Sequence, residues 1–116
     1  MLRTFQQAFH IPGTLSANIN IRYTAPMDCT LIHASAVASN DSDATIKIGT
    51  SDDDEFLTAA VIGDSNTPVE FEQDDFVGDQ YPRIEDDDVV IITIDFDGDG
   101  GTAAQNLTLL LTFAEG

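Results

Sequence analysis

The stretch from Val89 to Phe113 constrains the fold of this chain more than any other. It reads Val-Val-Ile-Ile-Thr-Ile-Asp-Phe, then Asp-Gly-Asp-Gly-Gly-Thr-Ala-Ala-Gln, then Asn-Leu-Thr-Leu-Leu-Leu-Thr-Phe. Both outer runs are rich in β-branched and large aliphatic residues, which favour a pleated backbone. In the second run Leu107, Leu109, Leu111 and Phe113 share one parity, and Asn106, Thr108 and Thr112 take the other. Val90, Ile92, Ile94 and Phe96 make the matching face of the first run. Two such runs around a loop of turn formers predict an antiparallel hairpin with a long tip, at the centre of a β core. The other parity is also partly apolar, through Val89, Ile91 and Leu110. That predicts a second cover, supplied either by a loop of the same chain or by another subunit, and makes these three residues the candidate contact residues.

The remaining segments follow the same period. Phe5, Phe9 and Ile11 share a parity up to Pro12-Gly13, read as a turn. Ile19, Ile21 and Tyr23 alternate with polar residues until Pro26. Cys29 to Ala38 is apolar on both parities and reads as a strand covered on both faces. Ala44, Ile46 and Ile48 alternate up to Gly49. The run Ser51-Asp-Asp-Asp-Glu55 must be solvated, because so much charge cannot be buried unpaired. Phe56 to Ile62 fits a strand better than a helical turn, given Gly63-Asp64 after it. Val69 and Phe71 form a short strand, Phe76 anchors an acidic loop, and Tyr81 to Ile84 is a short strand or an extended piece. About eight short strands and little helix predict an all-β, antiparallel β-sandwich of jelly-roll type, one domain over residues 1–116.

Charge removes whole classes of function. The chain has 21 Asp and Glu against 4 Lys and Arg, a formal net charge of −17. Its basic residues, Arg3, Arg22, Lys47 and Arg83, are scattered in the sequence. Nucleic-acid binding needs clustered cations that displace counterions, so no nucleic-acid partner is expected. Anionic membranes are disfavoured for the same reason, and no run approaches the ~20 apolar residues of a membrane span. Cations, cationic or neutral protein surfaces and neutral glycans remain, and solubility alone also accounts for an acidic surface. Cys29 is the single cysteine, so no disulfide forms within the chain; its apolar neighbours predict a small buried thiol. Met1 to Gln7 lacks the apolar core of a signal peptide, and no linker is evident, which predicts a self-contained subunit.

No catalytic constellation stands out, and the expectation is a protein that is not an enzyme. His10 and His33 lie in predicted strands, without a Gly-x-Ser-x-Gly, His-Glu-x-x-His or phosphate-loop motif. The sharpest local motif is Asp95-Phe-Asp97-Gly-Asp99-Gly-Gly101. Carboxylates at alternate positions before a glycine open an EF-hand calcium loop. The closing bidentate Glu is replaced by Asn106, position nine is Ala103, and no helices flank the motif. Asp95, Asp97 and Asp99 are therefore candidate Ca2+ ligands in an incomplete loop, against a plain glycine-rich tip. A glycan site is weakly supported, since the chain has no Trp and only Tyr23 and Tyr81.

One resemblance goes further. The segments Asp43-Ala-Thr-Ile-Lys-Ile-Gly-Thr-Ser-Asp-Asp-Asp-Glu-Phe-Leu, Gly63-Asp-Ser-Asn-Thr-Pro-Val-Glu-Phe and Asn106-Leu-Thr-Leu-Leu-Leu-Thr-Phe-Ala-Glu-Gly are similar in style and length to small acidic structural proteins of tailed bacteriophages. In particular the chain resembles the jelly-roll decoration, or cement, proteins on the outside of capsids. The resemblance implies a homotrimer on the outer capsid surface of the virion, made in the host cytoplasm and reinforcing the shell formed by the major capsid protein. It transfers no functional residue, because no motif fixes one. The rival expectations are a calcium-assisted glycan-binding or host-attachment protein, and a head–tail or tail component.

Overall fold

In the computed structural model, which describes residues 3–116, nine strands build two facing sheets. They are β1 (Thr4–Thr14), β2 (Ile19–Thr24), β3 (Cys29–Val37), β4 (Thr45–Gly49), β5 (Leu57–Val61), β6 (Val69–Phe71), β7 (Arg83–Ile84), β8 (Val89–Asp95) and β9 (Gln105–Glu115). The first sheet runs β1-β9-β3-β6, with the two-residue β7 also on β3, and the second runs β2-β8-β4-β5. Every pairing is antiparallel. With β7 set aside, first pairs with last, second with second-last, third with third-last, and the middle two with each other. This is one long antiparallel ribbon folded over on itself, the winding of a jelly roll. β7 falls within the expected short strand or extended piece at Tyr81–Ile84, and docks beside the end of β3 through Cys29–Ile84.

The ribbon overturns the expected Val89–Phe113 hairpin. β8 and β9 do not pair; β8 lies between β2 and β4, and β9 between β1 and β3 in the other sheet. Their apolar faces look at each other across the sandwich instead of lying side by side. Val90, Ile92 and Ile94 on one side, and Leu107, Leu109, Leu111 and Phe113 on the other, are essentially fully buried. Facing sheets bury both stripes against a partner of the same kind, whereas a lone hairpin leaves a shared apolar face still to be covered. The segment between them is an arch from sheet to sheet.

Two bulges correct two further expectations. β1 runs on through Pro12-Gly13: its register with β9 is unbroken from Thr4 to Ile11 and shifts by one residue before Thr14. Gly13 takes φ +80° there, and its N–H donates to the Asn106 side chain at 2.8 Å. In β3 the register against β9 slips between Leu31 and His33. Cys29 and Leu31 point inward before the bulge and Ala34 and Ala36 after it, all buried. A bulge exchanges the parities, so the segment is apolar on both in sequence while only one face is buried in the fold.

Elsewhere the expected elements form. Phe56–Ile62 contains β5, and Phe76 is buried as an anchor between two single 3₁₀ turns, Gln73–Asp75 and Val77–Asp79. Cys29 is fully buried. Burial pushes its thiol above the ordinary range; the neighbouring Arg83 pulls it down, and Asp28 and Asp88 push it up again. A thiol held neutral and covered does not react. The native protein is therefore expected to resist a thiol-specific disulfide reagent and to take up one equivalent only after denaturation; full modification of the native protein would contradict this placement.

Candidate functional site

The Asp95–Gly101 segment forms the arch between the sheets, and its carboxylates are partly engaged. Asp95 accepts the Asp97 N–H at 3.1 Å, a local turn that lets Asp97 take φ +42°. Asp43, just before β4, accepts the Thr102 N–H at 2.8 Å and donates its own N–H to the Thr102 carbonyl at 2.9 Å. Asn40 closes the same seam, donating to the Ala103 carbonyl and accepting the Gln105 N–H, each at 2.9 Å. Asp97 and Asp99 line a hollow of about 450 Å3 with Asp43, Thr45, Val61, Gly100 and Gly101. Among the described residues no three Asp, Glu, His or Cys side chains gather in an arrangement that can hold a metal. The structure thus brings Asp97 and Asp99 to one hollow and turns Asp95 to the backbone.

The same use of carboxylates recurs around the molecule. Asp28, Asp41, Asp75 and Asp88 accept the backbone N–H groups of Asp86, Ser65, Glu72 and Glu85, at 2.8 to 3.0 Å. Glu55 accepts from Thr50 and Ser51 in the same way. Hydrogen bonds from the Thr50 hydroxyl first, and then from Ser51 and the backbone, hold its carboxyl below the usual range. Many of the acidic residues thus close turns between strands, a structural role that composition does not reveal.

The histidines sit on the outer face of the first sheet. His10 is exposed and 2.8 Å from the Thr108 hydroxyl, and His33 lies 3.4 Å from the Glu70 carboxylate. Neither lines the acidic hollow or a second one, of about 320 Å3, formed by Glu55, Phe56, Val77, Gln80, Pro82 and Arg83.

The three candidate contact residues are separated. Val89 and Ile91 are on the outer face of the second sheet, where Val89 is 38% exposed and Ile91 is half-buried opposite Arg22 and Gly49. Leu110 is half-buried on the outer face of the first sheet, between Ala8 and Ser35. They lie on opposite sides of the sandwich, because β8 and β9 belong to different sheets, and do not form one patch.

A partly covered apolar row exists elsewhere, interrupted by Gln7 on the same face of β1. β1 and β2 are the edge strands of the two sheets on the same side of the molecule. Their inward residues Phe5, Phe9, Ile11, Ile19, Ile21 and Tyr23 pack on the core but are only half-buried. Phe5 and Tyr23 both stack on Phe113, at ring separations of 5.1 and 5.7 Å. The sandwich is open along this side. The first 27 residues, which supply both strands, contain no Asp or Glu and carry Arg3 and Arg22, a formal charge of +2. The other 89 carry all 21 acids with Lys47 and Arg83, a formal charge of −19. The signal was readable as a gap in acidic residues ending at Asp28, although the overall charge conceals it.

No family model matches the sequence, and no curated protein matches it. Among solved structures, the chain is similar to one from the cyanophage Pam1 capsid asymmetric unit, with a TM-score of 0.55 and 12% identity. The likeness covers 99% of this chain and 85% of that one, so the two are of comparable length and share the fold from end to end.

Proposed function

We propose that this protein is a non-enzymatic structural subunit of a phage virion, a decoration or cement protein bound to the outer surface of the capsid. The observation that carries the reading is the fold likeness to a comparably small chain of a phage capsid unit, over nearly the whole of both chains. An acidic body built from two β-sheets, whose His10–Thr108 pair lies exposed on a sheet face outside both hollows, supports it. In this reading the chain assembles as a homotrimer and adheres to the major capsid protein by surface burial, with its turn-closing carboxylates toward solvent or toward basic capsid patches.

Co-sedimentation with empty capsids of the encoding phage tests the proposal. The purified protein is expected to pellet with capsids, to saturate at a fixed ratio to the major capsid protein, and to raise the temperature at which the shells rupture. Binding to isolated tails or connectors and not to shells would assign it to the tail or the head–tail junction. The rival, a calcium-assisted glycan-binding or host-attachment protein, requires a melting temperature raised by calcium beyond the effect of magnesium at equal concentration, together with retention on a glycan array.

A further inference from the structure

The open side of the sandwich points to how copies of this chain meet. We infer that the β1–β2 side is a self-association surface, whose occupant is the same side of a second copy. This deepens the oligomeric part of the proposed function, and its test involves no capsid, so the two can fail separately.

Three observations converge on this side. The first is the half-open apolar seam, where Phe5, Phe9 and Ile11 face Ile19, Ile21 and Tyr23 without being fully covered. The second is the edge itself. Exposed edges are ordinarily blunted by brevity, charge or proline. On the far side of the sandwich, β6 and β7 have three and two residues, and β5 has five with a register shift. β1 is an 11-residue edge, and from Thr4 to Ile11 it pairs regularly with β9, with no Lys, Asp, Glu or Pro in that run. One side of its backbone ladder is therefore available to another chain.

The third observation selects the occupant. A cationic partner is drawn to the body that carries −19, and gains nothing from an edge that carries +2. An edge cleared of carboxylates suits a partner that is itself acidic, since it holds that partner's charge away from further acid. This chain is such a partner. Two copies repel each other through their acidic loops, and meet with less repulsion along β1 and β2, which carry no carboxylate of their own and whose neighbouring Arg3 already pairs with Glu115 of β9 at 3.1 Å. Arg22, exposed on β2, makes no ion pair among the described residues and adds attraction to the acidic body of a neighbour. In a homotrimer β1 of one copy meets β2 of the next, and the contact closes as a ring.

Light scattering across a dilution series of the full chain, at low and high salt, reads the association. The wild type is expected to be oligomeric, and more tightly so at high salt, where repulsion between the acidic bodies is screened. Phe9→Asp is expected to weaken association at least about a hundredfold, by placing an unpaired charge in the seam. The double variant Gln7→Glu with Asn20→Asp adds charge with almost no change in shape, and should also dissociate the oligomer while its melting curve shows a folded protein. Val61→Asp, on the opposite edge strand and 58% exposed, should leave the mass unchanged. A wild type that stays monomeric at high concentration would overturn the inference. So would an oligomer that survives the double variant.

Discussion

Phe113→Ala is expected to cost about 3–5 kcal/mol of folding stability, the range for emptying a large aromatic from a core. Phe113 is fully buried in β9, with Phe5 beside it on β1 and Leu31 on β3. Its ring is flanked by Phe5 at 5.1 Å and, from the other sheet, by Tyr23 at 5.7 Å. Truncation removes the ring on which two edge strands rest, so each loses an aromatic contact of about 0.5–1.5 kcal/mol as well as apolar burial. For a domain of this size that corresponds to a fall in Tm on the order of 15 °C. Phe113→Leu retains most of the buried area and should lose markedly less. Urea denaturation below the concentration of self-association separates the folding effect from any loss of oligomer. A cost under about 1 kcal/mol for Phe113→Ala would mean that the β1–β2 side is not anchored there.

The aromatic anchor was only half legible in the sequence. Period-two alternation put Leu107, Leu109, Leu111 and Phe113 on a buried face, and Val90, Ile92 and Ile94 on another. These residues are buried as expected, whereas Phe96, expected on the same face as Val90, Ile92 and Ile94, is only half-buried. Alternation carries no information about which strand lies beside which, so adjacent runs read as a hairpin when they belong to different sheets. The misplacement of Val89, Ile91 and Leu110 as one patch follows directly from it. A bulge is equally silent: Ile32 has nothing in its type that says the parity of β3 changes beside it. Pro12-Gly13 has the composition of a turn, yet it sits inside β1 where the register shifts and Asn106 takes the Gly13 N–H. The acidic residues were read as solvation. Their contacts with turn N–H groups depend on which loops come together, as Asp43 with Thr102, 59 positions apart. The charge gap over the first 27 residues needed no structure to be seen, only a reason to count by segment. The fold supplied that reason by placing β1 and β2 on one open side.

The largest backbone effect is expected at Gly49, where the acidic turn folds over the end of β4. A Cβ at this position would lie 1.8 Å from the Asp52 carbonyl oxygen and 2.9 Å from the Glu55 nitrogen. Both are backbone atoms, and neither can swing aside as a side chain would. The turn is held closed: the Glu55 N–H donates to the Asp52 carbonyl at 3.3 Å, and the Phe56 N–H to the Ile48 carbonyl at 2.9 Å. The Glu55 carboxylate accepts from Thr50 and Ser51, and Lys47 pairs with Asp53 at 3.2 Å. Gly49→Ala must therefore open the turn or shift β4 away from Ile91 of β8, and is expected to cost about 3 kcal/mol, the upper end for forced overpacking. Gly100→Ala is the comparison, since that Cβ meets no atom within 4 Å and the penalty comes only from φ +91°; about 1–2 kcal/mol is expected there. Acid provides an independent check. The Glu55 carboxyl is held below its ordinary value near 4.5, so its contribution is present in full above about that pH and is lost as pH falls through the depressed value. In wild type, acidification should loosen the Thr50–Glu55 turn, visible as a lower protection factor at Thr50, its exchange rate being compared with the intrinsic amide rate at each pH. In Gly49→Ala the turn is already displaced, so the protection factor at Thr50 should be low at neutral pH and change little with acid. Equal losses for the two glycine variants, or a Thr50 amide in Gly49→Ala that stays protected at neutral pH, would show that steric exclusion at Gly49 does not control this turn.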